Sequence, residues 1–541
     1  MKPKFVSGPP GTGKTHIFLT KKYQELLQQY DPEKIIMLSH TKVAAEELKD
    51  AILDLPEIKE KGLKKKFFKY KICTIHAFCR SKLLKKELVD YADYLNLCRL
   101  NSGFKRQRVT QSEFENDKHK FFKFLTDAFG TGKTIKQYWY TLKATSSGYY
   151  PYNNYTILSE MKDVYDEYKR TNQVCDYNDM IHEFNEHAIA PDIDVLIVDE
   201  AQDSNVPQLK ALQKMSTHVK EYYMVGDADQ TIFEFAGADA EYFHELSKDA
   251  QQLEQGLRCG QTINKLCKEI IKPIWDHYGY SRIWKPVEDI IGNSYYLPSL
   301  TTNCSAMEIL LDKIKNTKET FLFTYRGTPS GKWVRSFLLY HGLEFAHVGL
   351  NPYVSKKEIR CHKFWPYFAQ GTPMPLKQIK EFWYYMGSKV IVKGKGEATF
   401  EDWINKDYTI FELINKNYLK PESVDFKDFY HTRIKSKTDV EKIKYINNLI
   451  RQGVDTEGET RVHYANIHTV KGLTYDNVIV DLTCTRPEDY FTQLRLKYVA
   501  YSRGRIDCWT VASQDRYTLG RRHGRDKRMG QTTRRFTLSK L

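Results

Sequence analysis

The sequence predicts an α/β protein with parallel sheets, arranged as two bodies that are each interrupted by a mostly helical insertion. Three observations predict it. Short apolar runs that end in polar loops recur along the chain, as buried parallel strands do when their C-terminal ends carry the chemistry. The stretch Gly8-Pro9-Pro10-Gly11-Thr12-Gly13-Lys14-Thr15 matches G-x-x-x-x-G-K-[ST] and lies between an apolar run and a helical pattern. Two long segments, 83–174 and 350–460, leave this pattern and are Lys-, Tyr- and aromatic-rich with helical periodicity.

Taken in order, Lys4-Phe5-Val6 is the first strand and Gly8–Thr15 the loop after it. Its glycines let backbone N–H groups turn around an anion, and the following helix aims its positive end at the same point. Lys14 brings a point charge for the β- and γ-phosphates and Thr15 a hydroxyl for Mg²⁺. His16 to Tyr30 reads as the helix, with Leu19, Tyr23, Leu26, Leu27 and Tyr30 at helical spacing. Residues 34–38 form a strand that ends in Ser39-His40-Thr41-Lys42, and a helix follows from Ala44 to Leu53. Residues 72–79 are a short apolar stretch interrupted by Thr74 and His76. After the first insertion, Asp194–Val198 runs into Asp199-Glu200-Ala201-Gln202-Asp203, and Tyr222–Val225 runs into Gly226-Asp227-Ala228-Asp229-Gln230. A second body begins near 253, with a strand at 321–324, a helix at 331–341 and a strand at 478–480.

The chain has 541 residues, 41% hydrophobic, a mean hydropathy of −0.58 and a net charge of +15. That composition is globular, excludes a long apolar membrane span, and favours a polyanionic partner. Ten cysteines without a C-x-x-C pair read as thiols of a reducing compartment rather than a zinc site. With the phosphate loop starting at residue 8, no signal peptide is expected. Residues 61–71 interleave lysines with aromatics, as either a solvated face or a binding patch. The last 27 residues carry nine Lys/Arg against two Asp and read as a mobile basic tail.

The chemistry gathers at strand ends. An aspartate after a buried strand, Asp199, can hold Mg²⁺, and the adjacent Glu200 can polarise an attacking water. Gln230, at the end of the next strand, can bond the γ-phosphate or that water. Arg258 and Arg503, read as part of the second body, can stabilise charge on a transferred phosphoryl group.

In this order the segments resemble the motifs of superfamily 1 helicases of the UvrD/Rep/PcrA type. Gly8–Thr15 resembles motif I, His40-Thr41-Lys42 through Leu48 motif Ia, and Thr74-Ile75-His76 the T-x-H element. Residues 175–181 resemble the D-F-x-D-L-L segment, Asp199–Asp203 motif II, Val225–Phe235 motif III and Leu253–Arg258 motif IV. Asn466–Leu473 resembles motif V and Tyr498–Arg505 motif VI. The resemblance implies two RecA-like P-loop NTPase domains: 1–82 with 175–250, and 251–349 with 461–515. It further implies inserted domains at 83–174 and 350–460, ahead of the basic tail 516–541. It implies ATP as substrate with Mg²⁺, and 3′-to-5′ movement on single-stranded and partly duplex DNA, RNA not being excluded. Lys14, Glu200, Gln230, Arg258 and Arg503 are then catalytic, with Thr15 and Asp199 at the metal. Gly8–Thr15, His16, Gln202 and Gly472 are then nucleotide-binding. His40, Thr41, Lys42, Thr74, His76, Phe78, Phe235, His468 and Thr469 are then nucleic-acid contacts. A cytoplasmic monomer is implied, in a bacterial host if phage-encoded, with a replication or recombination protein as a partner. The alternative is an NTP-gated nucleic-acid-binding module of a larger replication, recombination or defence complex that does not unwind by itself.

Some residues admit two readings. Phe235 suits a base-stacking platform and Phe233 a core position, while Phe78 suits either. His76 and His468 read equally as ligand contacts or as hydrogen-bonded structure. Four departures from the family pattern touch base or ribose recognition. No Gln stands in the seven residues before the loop, and His16, Leu257 and Thr474 replace an arginine, an aromatic and an acid. They predict a site tolerant of several NTPs. Motif III also ends Phe235-Ala236-Gly237 in place of Trp-Arg-Gly.

Overall fold

In the computed structural model, the described residues are 1–83, 87–89, 91–100, 120–144, 154–386, 389–395, 403–432, 437–483 and 490–512. The tail at 516–541 and the side chain of His16 lie outside them. The chain divides into two compact units, one of Met1–Gly292 with Pro487–Arg505 and one of Asn293–Arg486 with Ile506–Leu541.

The first unit is built on a six-stranded sheet. Its strands are β1 (Lys4–Ser7), β2 (Ile35–Ser39), β3 (Ile72–Thr74), β4 (Val195–Val198), β5 (Glu221–Gly226) and β6 (Gln251–Gln252). They lie in the order β3-β2-β4-β5-β1-β6, and every pairing is parallel. Ile35–Leu38 and Val195–Val198 are buried along their whole length because helices cover both faces. On one face Leu38, Leu196 and Val198 pack with Phe78, Phe184 and Leu212; on the other Ile35, Met37 and Ile197 pack with Tyr23, Leu48 and Phe68. The helix expected from His16 to Tyr30 is shorter and broken in two. Lys14–Leu19 is π-helical, with Phe18 N–H donating to Gly13 O (3.0 Å), and Thr20–Leu26 continues as α-helix. The segment expected as one apolar stretch is β3 followed by the Ile75–Ser81 helix, which Thr74 caps through a bond from Ala77 N–H (3.2 Å).

The first insertion carries its own core. Helices Lys120–Gly130, Ile135–Ala144 and Tyr155–Asn172 bury Phe121, Phe124, Trp139, Leu158 and Tyr165 together.

The second unit holds another six-stranded sheet. Its strands are β7 (Ser294–Leu297), β8 (Phe321–Tyr325), β9 (Ala346–His347), β10 (Val462–Asn466), β11 (Tyr475–Asp481) and β12 (Gly504–Val511). Their order is β7-β12-β11-β8-β10-β9, with β7–β12, β8–β11, β8–β10 and β9–β10 parallel. A separate core of Trp365, Phe368, Ile379, Phe382, Tyr408 and Phe429 belongs to the insertion.

Three segments fall elsewhere than the sequence expectation places them. Residues 251–292 and the Tyr490–Tyr501 helix, assigned to the second body, pack into the first unit. The reason is that β6 adds to the first sheet and the Gln261–Tyr278 helix packs along Tyr490–Tyr501. The Lys437–Arg451 helix, assigned to the second insertion, puts Tyr445, Ile446 and Leu449 into the core of the second sheet.

Candidate active site

The phosphate loop leaves β1 at the C-terminal edge of the first sheet, and Gly8 N–H bonds Gly226 O at the end of β5 (3.1 Å). Gly11 has φ +72°, and a Cβ there would stand 2.4 Å from Arg258 Cβ. Only glycine allows that approach, which lets Leu257 N–H bond Gly11 O (2.7 Å). Arg258 is therefore held against the phosphate loop by backbone contact within one unit, rather than reaching it from a second body. Lys14 is buried, and its Nζ donates to Gly8 O (2.7 Å) and Pro9 O (3.4 Å). Burial lowers its pKa, opposed by the charges of Glu200, Asp227 and Asp199.

Beside the loop, Thr15 Oγ1 donates to Asp199 Oδ2 (3.1 Å). Asp199 Oδ1 is buried and accepts no hydrogen bond. Burial, and then the Glu200 charge, push the Asp199 carboxyl up to about 7. A buried carboxylate oxygen without a partner, next to a threonine hydroxyl and a phosphate loop, fits Mg²⁺, which takes one or two protein oxygens and completes its shell with phosphates and water. Among the described residues no group of three or more His, Cys, Asp or Glu is gathered to hold a metal, so the remaining oxygens must come from elsewhere.

Glu200 stands in the left-handed region, φ 50° and ψ 37°. Gln202 holds it there. Its Nε2 donates to Glu200 Oε2 (2.5 Å), and its Oε1 accepts from Asp227 N–H (3.0 Å). Gln202 is fully buried with both ends of its amide engaged. Gln202 thus ties the end of β4 to the end of β5 and bonds the Glu200 carboxylate.

Gln230 is also fixed at both ends. Its Nε2 donates to Asp227 Oδ2 (2.8 Å), and its Oε1 accepts from Arg503 Nη2 (3.0 Å). Arg503 is 1% exposed, with Nε on Val499 O (2.9 Å). Arg258 Nη1 bonds Ser502 O (3.4 Å). Burial, and then the like charge of Arg258, push the Arg503 guanidinium down to about 9. The buried Arg503, the half-buried Arg258 and the buried Lys14 make this site a strong attractor for negative charge.

The expected nucleic-acid residues separate into groups. Phe235 is 46% exposed, and Lys123 Nζ from the first insertion sits 4.7 Å from its ring centroid. Gly237 and Gly130 explain the small residues of motif III. A Cβ on Gly237 would lie 2.0 Å from Gly130 O, and one on Gly130 would lie 2.1 Å from Ala236 O, so the loop and the insertion meet backbone to backbone. Phe78 is corrected: at 1% exposure it belongs to the sheet core, facing Phe184 and Leu196. Phe233, expected in the core, is only half-buried and lies 6.1 Å from the Phe235 ring. Thr41 and Thr74 are helix N-caps whose hydroxyls accept from Ala44 and Ala77 N–H, while Lys42 is exposed. His40 Nε2 pairs with Ser204 Oγ (3.0 Å). His76 sits edge-on to Tyr177, and burial pushes it down to about 4. His468, Thr469 and Gly472 are in the second unit, on the loop after β10. There Asn466 Oδ1 accepts from Thr469 N–H (2.9 Å), and Gly472 has φ 89°.

A buried polar cluster behind Gln230 went unread in the sequence. Asp227 and Asp229 lie between Arg282, Trp275, Tyr280 and Tyr498. Asp227 and Asp229 stand in the motif III stretch, but Arg282 follows a plain Tyr-Ser dipeptide with no motif to mark it. Similarly, Arg495 Nη2 and Thr492 Oγ1 both bond Glu234 Oε2 (2.6 and 2.7 Å), anchoring the Phe235 turn.

Residues 1–251 match the UvrD/REP helicase N-terminal domain. Among similar curated proteins is a probable DNA helicase II homolog of Mycoplasma pneumoniae, 25% identical over 292 residues, covering 49% of this chain and 39% of that protein. The ATP-dependent DNA helicase Rep of Buchnera aphidicola is 23% identical over 268 residues, covering 46% and 38%. The ATP-dependent DNA helicase PcrA of Staphylococcus aureus is 22% identical over 391 residues, covering 66% and 50%. The chain thus spans between 38% and 50% of these relatives. Among the described residues no helix is long and apolar enough to cross a membrane.

Proposed function

We propose, from the match of residues 1–251 to the UvrD/REP helicase N-terminal domain, that the chain is a nucleic-acid-stimulated ATPase that moves 3′-to-5′ along single-stranded DNA and unwinds duplex ahead of it. The observation that carries the reading is the convergence of Thr15–Asp199, Glu200 and the Gln230–Arg503 pair on one phosphate loop.

Each residue has a task in hydrolysis. The loop N–H groups and Lys14 hold the β- and γ-phosphates. Thr15 and Asp199 would hold Mg²⁺, which supplies charge neutralisation when bound. Glu200 accepts a proton from the attacking water, in the orientation that Gln202 imposes. Gln230 aims its amide at the γ-phosphate or that water. Arg258 and Arg503 stabilise the charge that builds on the transferred phosphoryl, an effect of about 10³–10⁵ in rate for such arginines. The Arg503–Gln230 bond links the γ-phosphate side of the site to the Tyr490–Tyr501 helix, a route by which the triphosphate state could reach the rest of the chain. Phe235, with Lys123 over its ring, offers a base a stacking face and a phosphate a charge.

Duplexes with a 3′ or a 5′ single-stranded tail test this. Strand separation dependent on ATP and on the 3′ tail is the expected result. Preference for the 5′ tail overturns the polarity. Hydrolysis stimulated by single strands without strand separation favours the NTP-gated module instead.

A further inference from the structure

Arg282 lies beyond the segment that matches the helicase domain and outside every motif, yet its side chain is fully buried behind the catalytic centre. Its Nη1 bonds Asp227 Oδ1 and lies 3.2 Å from Asp229 Oδ2, and its Nη2 bonds Ser247 Oγ (3.3 Å). The opposite oxygen of Asp227, Oδ2, accepts from Gln230 Nε2 (2.8 Å) and from Tyr498 Oη (3.4 Å). Asp229 is held in turn by Trp275 Nε1 (2.7 Å) and Tyr280 Oη (3.4 Å). One guanidinium therefore stands between two buried carboxylates, one of which grips the Gln230 amide.

We propose that Arg282 is a positioning residue for Gln230, acting through the Asp227 carboxylate. The inference rests on the ATPase reading above. An ionised carboxylate only accepts hydrogen bonds, so it dictates which end of the Gln230 amide faces it. The nitrogen must face Asp227 and the oxygen Arg503. An amide nitrogen carries two hydrogens; Asp227 takes one and thereby sets the direction of the other. Arg282 supplies the countercharge for both carboxylates and, by bonding Asp227 Oδ1, fixes the direction in which Asp227 Oδ2 faces Gln230. Without the bond from Arg282, the Asp227 carboxylate can turn away from the amide. Gln230 is then free to flip, presenting its oxygen where the phosphate needs a donor. One nitrogen of Arg282, Nη1, meets both carboxylates while Nη2 holds Ser247, a set of contacts that the single nitrogen of a lysine reproduces only in part.

The test is a kinetic double-mutant cycle on the full chain, reading ATP hydrolysis stimulated by single-stranded DNA. The variants are Gln230→Ala, Arg282→Met and the two combined. Arg282→Met is expected to lower kcat at least tenfold with KM within twofold of wild type. In the Gln230→Ala background it is expected to lower kcat no further, since its effect passes through the missing amide. Arg282→Lys, which keeps a charge between the carboxylates, is expected to retain an intermediate kcat. It carries the same cycle if Arg282→Met does not fold. A wild-type kcat in Arg282→Met, or losses that multiply in the double variant, overturns the inference and leaves the ATPase reading standing. No stimulated hydrolysis by the wild-type chain overturns both.

Discussion

Replacing Gln202 with leucine removes two hydrogen bonds and little volume. The first is the 2.5 Å bond from Nε2 to the Glu200 carboxylate, and the second is the 3.0 Å bond that Oε1 accepts from Asp227 N–H. A hydrogen bond to an ionised partner is worth about 1.5–3 kcal/mol. Glu200 meanwhile occupies a left-handed backbone conformation, which costs roughly 1–3 kcal/mol and persists only when its surroundings impose it. Loss of the first bond should therefore cut the population of correctly placed carboxylate, and with it kcat, by about 10- to 150-fold. Lys14 and the loop are untouched, so KM for ATP should stay within a factor of about two. The second loss leaves a buried N–H without an acceptor, at about 1–3 kcal/mol of stability, which should lower the melting temperature by a few degrees. Steady-state hydrolysis with saturating single-stranded DNA gives kcat and KM, and a thermal melt gives the stability. A raised KM with unchanged kcat would refute the reasoning, because that is the signature of a nucleotide contact rather than of an oriented base.

The other predictions concern the same unit. Lys14→Ala should abolish turnover by weakening phosphate binding, whereas Glu200→Gln should abolish turnover and still bind ATP; near-wild-type hydrolysis by Glu200→Gln would show that the base lies elsewhere. Arg503→Ala should lower kcat by about 10³ or more with little change in KM, read by single-turnover hydrolysis; a change confined to KM would make its contact a ground-state one. Phe235→Ala should weaken single-stranded DNA binding by about 1–3 kcal/mol in a fluorescence titration, and an unchanged affinity would remove it from the binding face. Burial pushes His76 down to about 4, and burial with the Arg495 and Arg282 charges pushes His244 down to about 2. Both are neutral in the fold, while an unfolded histidine titrates near 6.5. The unfolded chain thus binds protons that the folded chain refuses. Their contribution is complete above pH 6.5 and falls as pH drops, by about 1.4 kcal/mol per unit for each histidine down to its folded pKa. Urea midpoints at pH 7 and 5.5 should show this, and His76→Asn should flatten the dependence; an equal slope in the variant would contradict it.

The sequence by itself determined whatever depends on neighbours in the chain. The phosphate loop, the apolar runs of β2, β4, β5, β8 and β11, and the acidic pair after β4 are local patterns, because a strand buried on both faces must be apolar throughout. The candidate catalytic residues are marked out by their position at strand ends, within and beyond the segment 1–251 that matches the helicase domain. Partnership, by contrast, was decided only in three dimensions. Gln202 reads as part of a nucleotide motif until its amide is seen to join two strand ends. Phe78 reads equally as a stacking face or a core residue until the helix that carries it turns it into the sheet core. Arg258 looks like an arginine from another body until Gly11 admits its strand to the phosphate loop. Arg282 has no signature at all, since its role comes from two carboxylates 55 and 53 positions away in the sequence. Periodicity reports which face of an element is apolar, and a motif reports which residue type the chemistry needs. Neither reports which distant polar group will satisfy a buried charge, because that pairing exists only after the chain has closed around it.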